Sequence, residues 1–204
     1  MRITGPAALF AALCLWASLC AAGPSTESFI LVANPQLRHP LYGRTVLVVK
    51  SFGADQHFGF IVNRPGPFTL RRLFPGHRPS QKVVDPVFIG GPVDARMLFA
   101  LVARAERPGR GCVELAPGLF AVLDGRTVNR VIEANPDDAR FLTGLVVWRP
   151  GELRRELALG AWYVLDANAS IAVRDPRGLW EELVARSRRG RGLGVTRAAT
   201  APGR

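Results

Sequence analysis

Residues 112–148 read CVELAPGLFAVLDGRTVNRVIEANPDDARFLTGLVVW, and their periodicity changes twice. Residues 112–116 and 119–123 are apolar runs on either side of Pro117-Gly118, the pattern of two strands joined by a tight turn. Val128, Val131 and Ile132 then follow the i, i+3, i+4 spacing of a helix with one buried face. Residues 141–148 return to a continuous β-branched and aromatic run. A hairpin, then a helix, then a strand is not the regular alternation of a parallel α/β sheet. It predicts an α+β fold with a mostly antiparallel sheet.

The flanking sequence agrees. Phe29-Ile30-Leu31-Val32, Thr45-Val46-Leu47-Val48-Val49 and Phe58-Gly59-Phe60-Ile61-Val62 read as three strands, the first ended by Asn34-Pro35 and the third by Asn63-Arg64-Pro65. Residues 69–74 suit a short helix stopped by Pro75, and residues 75–86 read as a loop. Val87-Phe88-Ile89 is a strand running into Gly90-Gly91-Pro92, and 97–103 is another. After residue 148, Pro150 suits a first helical position and Leu153 with Leu157 form an i, i+4 seam. Residues 161–165 read as a strand, and 169–173 as one more. A last helix is expected from the Asp175-Pro176 cap, burying Leu179, Trp180, Leu183 and Val184. No internal repeat is present.

Three segments follow from composition. Arg2 precedes an apolar run that closes on Cys20-Ala21-Ala22, so residues 1–22 read as a signal peptide cleaved after Ala22 or as an uncleaved anchor. Lipidation at Cys20 is a third reading, opposed by the bulky Leu19; a start codon placed too far upstream is a fourth. Export to the periplasm or medium follows from the leader, and a cytoplasmic location from the misplaced start. Residues 23–187 form one domain, and residues 188–204, rich in Arg, Gly and Ala, read as a disordered basic tail.

The net charge of +11 invites a nucleic-acid reading, but its distribution argues against one. Residues 23–185 hold 20 basic residues against 16 acidic ones, so the excess belongs to the C-terminal end rather than to a groove. Of the 27 basic residues only Lys50 and Lys82 are lysines, a skew that a GC-rich genome produces without a selected partner. No helix-turn-helix pattern accompanies it, so specific nucleic-acid binding is not expected. Cys112 is the only cysteine outside the leader; it permits no internal disulfide and reads as a buried structural thiol.

Four segments in order resemble the YqgE/AlgH proteins, a bacterial family of poorly defined biochemistry. FILVANPQLRHPLY at 29–42 is similar to the family's opening, with His39 where the family carries Asp. GFIVNRP at 59–65 is similar to its G-x-I-x-N-[KR]-P, and IGGPV at 89–93 to its G-G-P-V. GLVVWRPGELRREL at 144–157 is similar to its G-x-x-x-W-x-x-G-Q-L-E-x-E, with Glu152 for Gln and Arg154 for Glu. The resemblance implies a sheet curled into a pseudo-barrel with flanking helices, and for some members a link to transcriptional regulation.

No Walker A, H-E-x-x-H, G-x-S-x-G or paired C-x-x-C motif is present, and His39, His57 and His77 lack metal spacing. No catalytic residue, metal or cofactor is therefore assigned. Glu152 and Glu156 share one helix face, where like charges cost about 0.2–0.5 kcal/mol unless something compensates them. A solvated or Arg-paired face is one reading. The other is a polar ligand surface formed by Asn63, Arg64, Gly90, Gly91, Glu152 and Glu156, with Arg64 holding Glu156 or an anionic ligand. The first expectation for function is a non-catalytic binding or regulatory protein acting on a protein partner or a small polar ligand. The alternatives are an enzyme with a shallow polar site around Asn63, Arg64, Glu152 and Glu156, and a transcriptional regulator. Membrane contact is expected only through residues 1–22.

Overall fold

The structure, a computed structural model, describes residues 27–53 and 55–198. The leader and its cleavage site lie outside the described residues. Ten strands are described: β1 (Ser28–Ala33), β2 (Val46–Phe52), β3 (Gln56–Ile61), β4 (Pro65–Thr69), β5 (Pro86–Ile89), β6 (Val93–Ala103), β7 (Cys112–Ala116), β8 (Leu119–Val122), β9 (Ala139–Trp148) and β10 (Trp162–Asp166). Five helices accompany them: α1 (Leu70–Leu73), α2 (Gly125–Ala134), α3 (Glu152–Ala158), α4 (Ala169–Val173) and α5 (Leu179–Ala198).

The strands form one sheet in the order β10-β1-β2-β3-β9-β6-β8-β7. Every pair on that path is antiparallel, and β5, which also pairs with β4, joins β9 in parallel. The sheet curls until β7 returns against β2, a half-barrel in a single α+β domain.

Burial on both faces explains why the strands read as continuous apolar runs rather than as alternation. In β1 and β2, Ile30, Val32, Val46 and Val48 point inward to Phe60, Leu101, Leu142 and the buried side of α5. Their neighbours Leu31, Ala33, Leu47 and Val49 point outward, where α3, Trp148 and Trp162 cover them. A third cluster lies under α2, whose Val128, Val131 and Ile132 pack on Val102, Val122 and Phe141. Asp124 caps α2 by accepting the Thr127 N–H at 2.9 Å. Cys112 is buried in that cluster, as expected of a structural thiol.

Several boundaries differ from the sequence expectation. Residues 169–173 are helix α4, not a strand, because Asn168 Oδ1 accepts the Ser170 N–H and caps a turn. The last helix starts at Leu179 rather than at Asp175-Pro176. Asp175 instead folds back on the Arg177 N–H, and Gly178 at φ 70° separates that turn from the helix. Helix α5 continues to Ala198, beyond the boundary that composition sets at Arg188. Pro150 precedes α3, which begins after Gly151 at φ 82°. Pro65 opens β4 rather than ending a strand, and a 3-10 turn at Pro79–Lys82 interrupts the expected loop.

Candidate functional site

The motif residues converge on the loop 34–45, which crosses the outer face of the sheet. Asn63 Oδ1 accepts the Val46 N–H at 2.8 Å, and its Nδ2 donates to the Arg44 carbonyl at 2.9 Å. Arg64 donates from Nη1 to the Pro40 carbonyl at 3.1 Å and from Nη2 to the Gly43 carbonyl at 3.4 Å. Burial lowers the Arg64 guanidinium below its ordinary value. On the other side of the loop, Glu156 Oε2 accepts the indole N–H of Trp148 at 3.0 Å and that of Trp162 at 2.6 Å. Tyr42 bridges the two sides, with its ring edge-on to Trp162 at 6.2 Å. Burial raises the Tyr42 hydroxyl, and the Glu156 charge adds to the rise. Arg64 and Glu156 therefore flank one loop, but among the described residues they make no ion pair with each other.

Glu152 and the glycines have local partners. Glu152 Oε2 accepts the Arg149 N–H at 2.8 Å, closing the start of α3. Gly90 donates to the Thr143 carbonyl at 2.8 Å and accepts the Ile61 N–H at 2.9 Å, while Ile89 donates to the Arg64 carbonyl at 2.9 Å. The N–H groups of Ile89 and Gly90 are thus held by backbone carbonyls, not presented as an anion cradle. The Gly-Gly pair is needed for close approach: a Cβ on Gly91 would sit 2.2 Å from the Leu145 carbonyl carbon. Gly144, at φ 71°, meets Gly91 from the opposite strand with equally little room.

A cleft of about 710 Å³ lies elsewhere, between the start of β9, the β4–β5 ribbon and the α4–α5 connection. Arg140, at 9% exposure, forms its floor. Its Nη1 donates to the Val62 carbonyl at 2.7 Å and the Ala172 carbonyl at 2.8 Å, its Nη2 donates to the Arg174 carbonyl, and the guanidinium stacks 4.3 Å from the Phe88 ring centre. Burial pulls Arg140 down to about 10, with Asp85 and Asp175 acting against the fall, so it stays charged at neutral pH. Asp85, Asp137 and Asp138 stand on the rim, and Phe88 and Phe141 supply apolar wall.

Sequence reasoning did not select these residues. The available signal was a charge, Arg140, at the head of an apolar strand, together with acids beside prolines at 85–86, 136–138 and 175–176. Each is an ordinary turn or strand-end feature by itself; only the fold places them around one space.

The AlgH-like family model, DUF179, matches residues 30–189. A UPF0301 protein of Chlorobium phaeobacteroides is 29% identical over 176 residues, 85% of this chain and 90% of its own length. One from Streptomyces avermitilis is 29% identical over 167 residues, 78% and 85% of the two chains. The solution structure of AlgH from Pseudomonas aeruginosa is similar at a TM-score of 0.64 and 22% identity, covering 86% of this chain and 94% of that one. A crystal structure from Corynebacterium diphtheriae gives 0.65 and 21%, covering 79% and 87%. At those identities the two structures speak to the fold alone, and it is the same curled sheet. With its four motifs clustered as one folded unit and the family model matching nearly the whole described domain, this chain belongs to the AlgH-like DUF179 family.

Proposed function

We propose that the protein is a non-catalytic binding protein and that its ligand enters the Arg140 cleft. The family carries no defined biochemical activity, so the proposal stands on one observation: a roomy cleft combines a fixed, buried cation with an aromatic wall and a carboxylate rim. Concave sites with apolar walls and a few convergent polar groups are the usual place for a small ligand. Arg140 is held by three carbonyl acceptors, so its own side chain need not be ordered on binding, and it acts as a fixed floor of the cleft. The rim acids favour a ligand with an apolar body and a cationic end, either a small amine or a basic side chain of a partner protein. The polar groups of Asn63, Arg64, Glu152 and Glu156 are engaged within the fold, which supports a framing role for them over a role in chemistry.

The test is backbone amide NMR during titration with spermidine and with short Arg-Leu peptides. Shift changes confined to residues 85–88, 137–141 and 173–177 support the proposal. Changes centred on Asn63, Arg64 and α3 move the site to the motif cluster, and turnover of the added compound favours the enzyme reading. Export with cleavage after Ala22 is proposed alongside, motivated by the leader composition. Mass spectrometry of the mature N-terminus from fractionated cells tests it, and an intact Met1 in the cytosolic fraction overturns it.

A further inference from the structure

Residues 68–84, from the end of β4 through α1 and the 3-10 turn, form a surface knob. Leu70 and Val83 are buried in the cluster under α2 and anchor it. Its tip is tied down from within. Gln81 Nε2 donates to the carbonyls of Phe74 and Pro75, each at 3.2 Å, and His77 Nδ1 lies 2.7 Å from the Ser80 hydroxyl. A Cβ built on Gly76 would meet nothing within 4 Å, so the turn at Gly76 faces open space, while Ser80 is fully buried and holds the segment against the domain. The segment is therefore an ordered part of the surface.

Its outward side chains are unusual for a water-facing surface. Phe68 is 42% exposed, Leu73 38%, Phe74 41% and Val84 79%. Scattered exposed apolar residues are ordinary, but four on one small segment are not. Arg71, Arg72, Arg78 and Lys82 are exposed among them. The Arg72 guanidinium lies over the Phe68 ring at 5.1 Å, which places a cation and an aromatic side by side. No Asp or Glu occurs between Asp55 and Asp85, so no acid within the knob offsets these cations. The adjoining acids are Asp85, which directly follows Val84, and Glu133 of α2, which approaches His77 at 3.8 Å.

We propose that this knob docks on an anionic lipid surface, with Phe68, Leu73, Phe74 and Val84 entering the headgroup–acyl boundary and Arg71, Arg72, Arg78 and Lys82 meeting the headgroups. Interfacial binding of this kind combines buried apolar side chains with basic residues attracted to anionic lipid. No helix among the described residues is long and apolar enough to cross a membrane. Nucleic acid fits less well. Leu73 and Val84 offer no π face on which a base can stack, and a knob does not track a phosphate backbone as a groove does. Hydrocarbon accepts aliphatic and aromatic side chains alike.

The experiment is co-sedimentation of the full-length chain with phosphatidylcholine vesicles with and without phosphatidylserine. The expected result is binding that requires phosphatidylserine and weakens with added salt. The paired variant Phe68→Ser/Phe74→Ser weakens it by about tenfold or more, since each phenyl ring loses its buried environment. Part of each ring is covered in the fold, so the variant's thermal midpoint falls modestly, and its circular dichroism spectrum at the assay temperature must match wild type. A second variant, Arg71→Glu/Arg72→Glu, weakens the dependence on phosphatidylserine. Because all variants carry residues 1–22 and the Arg-rich C-terminal end, vesicle binding that the Phe pair leaves unchanged belongs to one of those segments and overturns the proposal. Failure of the wild-type chain to sediment overturns it too. So does duplex DNA that competes fully with vesicles and binds the Phe variant as well as wild type.

Discussion

The indole N–H of Trp162 lies 2.6 Å from Glu156 Oε2, and the same oxygen accepts the Trp148 N–H at 3.0 Å. Trp148 and Trp162 are 3% and 4% exposed, so neither N–H has water as an alternative partner. The charge that looked unfavourable beside Glu152 on one helix face is thus the acceptor that lets two large side chains be buried. Trp148 closes β9 and Trp162 opens β10, so Glu156 ties two strands to α3.

Replacing Glu156 by Ala leaves both donors unsatisfied. The expected loss is about 2–4 kcal/mol, read from urea denaturation. Glu156→Gln keeps one oxygen and costs less. Trp148→Ala and Trp162→Ala each cost about 3–5 kcal/mol by cavity formation. If Glu156→Ala unfolds at the wild-type urea midpoint, the carboxylate is not what holds the two indoles.

Arg140 supports a second prediction. Its donors serve the carbonyls of Val62, Ala172 and Arg174, joining the end of β3 to the connection after α4. Arg140→Met has nearly the right volume and none of the donors, so it strands buried acceptors. The expected cost is about 3–5 kcal/mol. Arg140→Lys keeps the charge but not the planar fork, and recovers less than half of that loss. Full recovery by Lys shows that charge alone matters at the floor of the cleft.

The strands and their antiparallel pairing were legible because β-branched runs separated by Gly and Pro have few other solutions. The motif cluster was legible in part. Asn63, Arg64 and Glu156 do border one loop, but spacing along the chain does not reveal that Asn63 and Arg64 reach backbone carbonyls or that Glu156 faces two indoles. Residues 169–173 misled because Ile171 and Ala172 are buried in either conformation, and the deciding group, the Asn168 side chain, acts on one N–H only. The cleft was not legible at all. Asp85, Asp138 and Arg140 come from different turns and strand ends, and the β5–β9 parallel pairing that brings residues 86–89 beside residues 139–143 is a tertiary event with no local signature.

His39 gives a third prediction. Its Nδ1 accepts the N–H of Leu41 at 3.1 Å and of Tyr42 at 3.2 Å, which closes the turn. A carboxylate at that position does the same work with two oxygens, which accounts for Asp in the related motif. His39→Asp therefore leaves the thermal midpoint unchanged or raises it. His39→Ala removes the acceptor from a turn that carries Tyr42 and the Arg64 contacts, and lowers stability by about 0.5–2 kcal/mol. A destabilised Asp variant sinks this account of the substitution.

The last prediction concerns acid. Asp175, on the edge of the cleft, is lowered to about 2, chiefly by side-chain hydrogen bonds from Arg177 and then by the Arg177 backbone N–H. In the unfolded chain an aspartate titrates near 3.9. The folded value is the lower one, so the unfolded state takes up the proton first as pH falls. The stabilisation from Asp175 is therefore complete above about pH 4 and is lost as pH falls through about 2. The Asp175 side chain is half exposed and its partner Arg177 faces solvent, so screening keeps its effect small and a direct titration is the better readout. Carbon-detected NMR of the Asp175 carboxyl should give a midpoint near 2 in the wild-type chain. In Arg177→Ala the midpoint should rise toward the ordinary aspartate value, because the main donor is gone. A wild-type midpoint already at the ordinary value means that the Arg177 bonds do not persist in solution. The turn that separates α4 from α5, and with it one wall of the cleft, would then have to be held by Gly178 and the backbone alone.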